Sequence, residues 1–328
     1  MKTNGKLWIM GGAGLLAISA GVIVSREITK HLIQIAVKRE EPKSMDRVKK
    51  RMHSVSGMKD VARLLSEKAA ALESEDGEEI RLKSHDGETL IGHWHPCPDQ
   101  KRVVIAMHGW RSRWSRDFGG IAPFWRENGC SVLYAEQRGQ NASSGAYITF
   151  GLMERHDCLD WVKWVIDKVG SNVPIYLCGI SMGASTVLMA SGLGLPDNVH
   201  GIIADCGFTS PHAIWKHVVN TNLHLPYQPH GKAINALFEK EFHTDIRDFS
   251  TVAAMKRNTV PTLFIHGAAD SFVPIGMTYE NYMACRAPRR LLVVPGARHG
   301  MSYCVDQENY ERVTKDFWRD FDGARCRV

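Results

Sequence analysis

A serine with a glycine two residues to either side, Gly179-Ile180-Ser181-Met182-Gly183, is the stretch best equipped for chemistry. It follows an apolar run, Pro174 to Cys178, and precedes a helix-permissive one, Ala184 to Ala190. Strand, sharp turn and helix in that order hold the serine of a G-x-S-x-G pattern on a strained elbow, its hydroxyl above the end of a parallel sheet. The flanking residues must be small because strand and helix backbones come close there. A chance Gly/Ser turn is the bland alternative, and the flanking elements weigh against it. A serine hydroxyl is a poor nucleophile at neutral pH, so a base must take its proton. An imidazole in that role needs a carboxylate to orient it and to stabilise its cation. Acyl transfer also builds negative charge on oxygen, which two fixed N–H donors would have to bind. Any one of the chain's 15 histidines, taken singly, would serve structure rather than catalysis. The base must be found from the elements around the serine.

Those elements alternate. Glu79–Ser84 and Thr89–Trp94, joined by His85-Asp86-Gly87-Glu88, read as an antiparallel hairpin with a D-G turn. Val103–Met107 is a buried strand ending in His108-Gly109-Trp110, Asp117–Asn128 a helix, Ser131–Ala135 a strand and Arg155–Val169 a helix. After the serine's strand and helix come strands at Gly201–Ala204, Pro261–Ile265 and Arg290–Val294, and a closing helix at Val305–Phe321. This βαβ alternation predicts an α/β fold with a mostly parallel sheet covered on both faces. Residues 207–258 interrupt the alternation with three prolines, Phe208, Trp215 and Tyr227. An insertion there, after a strand and near the carboxyl ends where ligands bind, reads as a cap.

Ahead of the domain, predicted to span 79–328, Leu7–Val24 is an uncharged run of 18 residues between Lys2/Lys6 and Arg26/Lys30. That is near the lower limit for a helix crossing roughly 30 Å of hydrocarbon. A cleaved signal peptide would have a shorter apolar core and an A-x-A-like site; we take residues 1–25 as a retained transmembrane anchor. The basic residues following it outnumber those before it, which favours a cytoplasmic catalytic domain. Residues 26–78 form a basic juxtamembrane region with a helical apolar stripe from Met45 to Leu72. Either that helix packs on the domain, or its cluster Arg47, Lys49, Lys50 and Arg51 lies on anionic lipid. Residues 1–51 carry a net charge of +7, and the rest of the chain sums to −1. A nucleic-acid binder carries its basic footprint on the folded domain, so nucleic acid is disfavoured. The eight cysteines are scattered, without C-x-x-C pairs or zinc-like spacing to histidine, and read as free thiols.

From about residue 79 to 321 the chain resembles the α/β-hydrolase superfamily, and more closely the bacterial, often membrane-anchored, serine aminopeptidase-like and FrsA-like hydrolases. The matching residues are H-G-W at 108–110, R-G at 138–139, G-I-S-M-G at 179–183, D-C-G-F-T-S at 205–210, H-G-A-A-D at 266–270 and G-A-R-H-G at 296–300. The resemblance implies Ser181 as nucleophile, Asp270 as acid and His299 as base, in the superfamily's chain order. Asp205, ending the preceding strand, is the rival acid; His266 and His108 are read as structural, His108 supporting the oxyanion loop. The resemblance assigns one oxyanion N–H to Met182 and the other to Trp110. Where relatives commonly read D-x-R-G-H-G-x-S, this chain has Glu136-Gln137-Arg138-Gly139-Gln140-Asn141-Ala142-Ser143, which bears on loop structure and substrate fit.

The expected activity is hydrolysis of an ester, thioester or amide in a small acyl substrate. A serine at the elbow argues against a dehalogenase, and the absence of a P-loop or Rossmann fingerprint implies no nucleotide cofactor. An acyltransferase on the same residues and a non-catalytic, membrane-tethered homologue are the alternatives. Peptidase activity would be favoured by an amine-binding acidic pair among Glu239, Glu241 and Asp245 of the cap.

Overall fold

A computed structural model describes residues 23–42 and 58–323. The expected anchor lies outside the described residues except for its end. Among the described residues, no helix is long and apolar enough to cross a membrane. Ile23 and Val24, the last of the apolar run, begin a helix over residues 23–36 and are exposed.

The domain is built on eight strands: β1 (Glu78–Lys83), β2 (Thr89–His95), β3 (Arg102–Met107), β4 (Cys130–Ala135), β5 (Ile175–Ile180), β6 (Val199–Asp205), β7 (Thr262–Gly267) and β8 (Arg289–Val294). They form one sheet in the order β1-β2-β4-β3-β5-β6-β7-β8. The β1–β2 and β2–β4 pairs are antiparallel and all others parallel. Every residue of β3 is buried, because helices cover both faces and successive side chains point to opposite sides. Val103, Ile105 and Met107 join Ile175 and Leu177 in one apolar layer with Trp161, Val187 and Met255. Val104 and Ala106 join Tyr176 and Cys178 in the other, against Phe118, Trp125, Phe317 and Trp318.

The single helix expected over Asp117–Asn128 is two, Trp114–Phe118 and Ala122–Glu127. The break falls at Gly119, where an added Cβ would sit 2.6 Å from the Lys68 carbonyl oxygen. Lys68 belongs to the helix Met58–Glu73, which runs tightly across this point. Leu72 of that helix is buried in the second apolar layer, and Ser115 donates a 2.5 Å hydrogen bond to Glu73. The amphipathic stripe is therefore packed on the domain at its Leu72 end, while Val61 of the stripe is exposed. Its basic cluster at 47–51 lies outside the described residues.

After β6 the chain forms the helices Pro211–His217 and Tyr227–Phe242 before Thr251–Met255 returns to the sheet layer. The first two helices contribute Ile214, Trp215, Ile234 and Phe238 to a third apolar cluster, which also holds Phe150, Met182, Phe208 and Val37. That cluster sits beside the serine, between cap, sheet and N-terminal arm.

Candidate active site

Ser181 is the hinge between β5 and the helix Met182–Ala190, with φ 56° and ψ −116°. A non-glycine residue with positive φ is strained, and strain persists only where surrounding structure enforces it. Two hydrogen bonds do so here: Ser181 N–H donates to the Asp205 carbonyl at 2.8 Å, and the Ser181 carbonyl accepts from Ser185 N–H at 3.0 Å. Gly183 allows the turn, since a Cβ there would lie 1.8 Å from the Met107 carbonyl oxygen of β3.

Asp270 follows β7 in a tight turn whose N–H groups fix its carboxylate. Oδ1 accepts from Phe272 and Val273 N–H, both at 2.9 Å, and Oδ2 faces His299 Nδ1 at 2.7 Å. His299 Nε2 in turn lies 2.9 Å from Ser181 Oγ. A carboxylate can only accept at Nδ1, so Nδ1 carries the proton and Nε2 is the acceptor for the serine hydroxyl. Burial alone would raise the Asp270 pKa, but hydrogen bonds from His266 and His299, the charge of His299 and the Val273 N–H hold it well below the usual carboxylate range. His266 is fully buried and anchored by Thr278 Oγ1 at 2.6 Å and the Val273 carbonyl at 3.0 Å, with Nε2 3.3 Å from Asp270 Oδ2. It supports the carboxylate from behind and has no contact with the serine.

The rival acid is occupied elsewhere. Asp205 accepts from the Ser302 hydroxyl at 2.9 Å, and burial, opposed by Ser302 and the two nearby histidines, raises its pKa to about 6. Its backbone carbonyl, not its carboxylate, reaches the serine.

The H-G-W turn is clamped from three sides. Gly109 N–H donates to Asp117 Oδ2 at 2.7 Å, and Ser112 Oγ to Asp117 Oδ1 at 2.5 Å. His108 is completely buried; its Nδ1–H donates to the Gly109 carbonyl at 2.7 Å, while Nε2 accepts from Gln137 N–H at 3.1 Å. Burial holds its pKa below the ordinary value. Gln140 Oε1 accepts from Arg111 N–H at 2.5 Å, and Asn141 Nδ2 donates to the Ser112 carbonyl at 2.9 Å. Gln140 and Asn141, two of the three residues that depart from the relatives' pattern, thus grip this loop, while the third, Glu136, accepts from Ala142 N–H. Among the described residues, the backbone N–H groups of Trp110 and Met182 have no hydrogen-bond partner. The Trp110 indole donates to the Ala36 carbonyl at 2.9 Å, so its ring is docked on the arm.

Two groups of described residues could gather a metal ion: Cys206 with Asp270 and His299, and His85 with Asp86 and Asp157. In the first, Asp270 and His299 already bind each other and the buried Cys206 thiol is held far above its ordinary pKa, first by burial. In the second, Arg138 bridges the carboxylates at 2.7 Å and 2.5 Å. Asp117, Gln140 and residues 23–42 are the site-shaping features that sequence reasoning missed. Only the unusual Gln140-Asn141 pair signalled any of them.

Residues 116–322 match the prolyl oligopeptidase family. The chain belongs to that family. It is 25% identical over 228 residues to the uncharacterized protein YqkD of Bacillus subtilis, covering 69% of this chain and 74% of YqkD. Among solved structures, the Pyrococcus furiosus esterase Pf2001 superposes with a TM-score of 0.62 at 21% identity, over 76% of this chain and 94% of the esterase. A puromycin-hydrolyzing peptidase of Mycobacterium tuberculosis superposes with a TM-score of 0.60 at 16% identity, over 77% of this chain and 40% of the peptidase. At such identities the superpositions speak for the fold, and the fold is that of the α/β-hydrolases. The protein is accordingly a hydrolase of the serine-hydrolase type, esterase-like or peptidase-like.

Proposed function

We propose that this hydrolase cleaves a carboxylic ester or a related acyl bond through a covalent acyl-enzyme on Ser181. The observation carrying this reading is the unbroken line from Asp270 Oδ2 through His299 to Ser181 Oγ, at 2.7 Å and 2.9 Å, ending on a strained serine. Ser181 Oγ attacks the substrate carbonyl carbon as its proton passes to His299 Nε2. The resulting imidazolium is stabilised by Asp270 across Nδ1. The carbonyl oxygen, now negative, is bound by the Trp110 and Met182 N–H groups. His299 then gives the proton to the leaving alkoxide, thiolate or amine, and acyl-Ser181 remains. Water enters, loses a proton to His299, and attacks the acyl carbon; the acid departs and Ser181 recovers its proton.

Two observations favour an uncharged acyl group over an aminoacyl one. The three cap carboxylates are each engaged: Asp245 by Arg247, Glu241 by Lys240, and Glu239 by Asn235. The cluster that holds Met182, the residue after the serine, is apolar and includes Phe150, Phe208 and Trp215. The apolar run 7–24 is assigned to holding the enzyme at a membrane, with the domain on the cytoplasmic side. Acyl transfer to an alcohol or amine would use the same residues and is separated from hydrolysis by product analysis with competing acceptors.

The deciding experiment is labelling with a fluorophosphonate probe, which phosphonylates an activated serine. Wild type is expected to label and to hydrolyse short p-nitrophenyl esters, whereas Ser181→Ala and His299→Ala do neither. Equal labelling of folded Ser181→Ala would remove the assignment. Folded wild type that does not label would point to the non-catalytic homologue.

A further inference from the structure

The N-terminal arm, residues 23–42, lies before the family match and is nevertheless built into the site. Its helix ends at residue 36, and the exposed carbonyls of its last turn would ordinarily need water or a cap. Arg111, the residue after Trp110, supplies that cap from across the molecule. Its Nε donates to the Ile35 carbonyl at 2.6 Å, one terminal nitrogen to the Arg39 carbonyl at 3.2 Å, and the other to Gln34 at 3.3 Å and to Lys38. Glu41, also on the arm, completes the set at 3.5 Å. The guanidinium side chain is only 5% exposed, so its charge is balanced by arm carbonyls, the helix dipole and Glu41.

The other end of Arg111 is tied to the loop. Its backbone is left-handed, with φ 50°, and its N–H is taken by Gln140. Trp110 is held in parallel by its indole bond to Ala36. Val37 of the arm is fully buried in the apolar cluster that also holds Met182, the second expected oxyanion donor. The arm's remaining bonds fasten it to the same surroundings. Ile148 N–H donates to the Val37 carbonyl at 2.6 Å, and the Arg39 guanidinium binds the Ser143 and Asn141 carbonyls. Thr29 Oγ1 meets His230 Nδ1 of the cap at 2.6 Å.

We propose that the arm is a working part of the active site and that Arg111 is a positioning residue, fixing the Trp110 N–H against the reacting carbonyl by capping the arm helix. The arm's docking is thereby coupled to turnover. This inference rests on the reading of Trp110 as an oxyanion donor, and the test keeps the two apart.

Steady-state hydrolysis of p-nitrophenyl butyrate by the full chain is measured for Arg111→Ala, Arg111→Lys and Ser181→Ala, with thermal unfolding of each. Lysine keeps the charge and the alkyl stem but cannot present a planar fork to several carbonyls, so it separates positioning from folding. Both Arg111 variants are expected to lose kcat by about 10- to 100-fold, the range for a misplaced catalytic contact. KM should stay within about threefold, as for an interaction made mainly in the transition state. Millimolar guanidinium ion should restore part of the Arg111→Ala rate. Unchanged kcat in both, beside an inactive Ser181→Ala, overturns the arm proposal and leaves the hydrolase reading standing. A loss of rate that follows loss of folded protein, without guanidinium rescue, overturns it equally. Turnover by Ser181→Ala would sink the underlying reading instead.

Discussion

Asp270 shows how two oxygens of one carboxylate are given separate tasks. Oδ1 is spent on the Phe272 and Val273 N–H groups, and only Oδ2 is left for His299. In Asp270→Asn the side-chain oxygen can keep the two backbone bonds. The amide NH2 then faces Nδ1, which must become an acceptor, so Nε2 gains the proton and can no longer serve as base. We expect kcat to fall on the order of 10⁴-fold with the fold intact, by analogy with the wrong-tautomer effect in other triads. A loss under tenfold would contradict this tautomer argument. Asp205 behaves oppositely. In the folded protein it keeps its proton to about pH 6; in an unfolded chain an aspartate loses it near pH 3.9, a gap worth about 3 kcal/mol. Between those values the folded state binds more protons, so stability falls as pH rises. Asp205→Asn, which can still accept from Ser302, should therefore gain stability at about pH 7.5 and little at about pH 4. Thermal melts across that range check it, and an equal effect at both ends would refute it.

At the scale of elements, Arg138 joins three that share no sequence neighbourhood. It grips Asp157 at the start of the helix Glu154–Val169, with Nε–Oδ2 at 2.6 Å, and Asp86 in the β1–β2 turn at 2.7 Å. Burial raises the Asp157 pKa to about 7 against the pull of Arg138, so the arginine is what makes a buried carboxylate tolerable there. Its removal strands that group. Arg138→Ala is expected to lose roughly 3–5 kcal/mol in urea unfolding, the usual penalty for breaking a buried pair; a loss under about 1 kcal/mol would show the group is protonated or hydrated instead. The helices on either side of Gly119 are a second case. The expected helix over 117–128 is interrupted at Gly119-Gly120, where the Lys68 carbonyl, some fifty residues earlier, leaves no room for a Cβ, and Pro123 stands in the first turn of the second helix.

For the molecule as a whole, much was legible because it is written locally. Strand alternation at β3 to β8 and the Gly183 elbow each rest on short stretches with their own physical signature, whereas the grouping of Ser181, Asp270 and His299 followed from the resemblance. The distance between those three side chains could not be read that way, and came from resemblance alone until the sheet brought them together. What stayed hidden was non-local and lacked a periodic pattern: Arg111 capping a helix over seventy residues before it, and Thr29 meeting His230. The apolar run 7–24 carries a whole-molecule prediction of its own. Alkaline carbonate should leave the full chain in the membrane pellet and release a chain lacking those residues; full-length protein in the supernatant would discard the anchor.

The arm's partners also set a schedule. At about 5–20 residues per second, roughly 10–50 s pass during synthesis between the emergence of Ala36 and that of His299. Within that interval Leu32, Ile33 and Val37 await the cap until residue 242 has emerged, and Ser181 stays without a base until its end. The growing polypeptide is on the proposed reading chemically mute until His299 has emerged, so its hydrolase cannot act on the compartment where it is made before the sheet's last strand is in place.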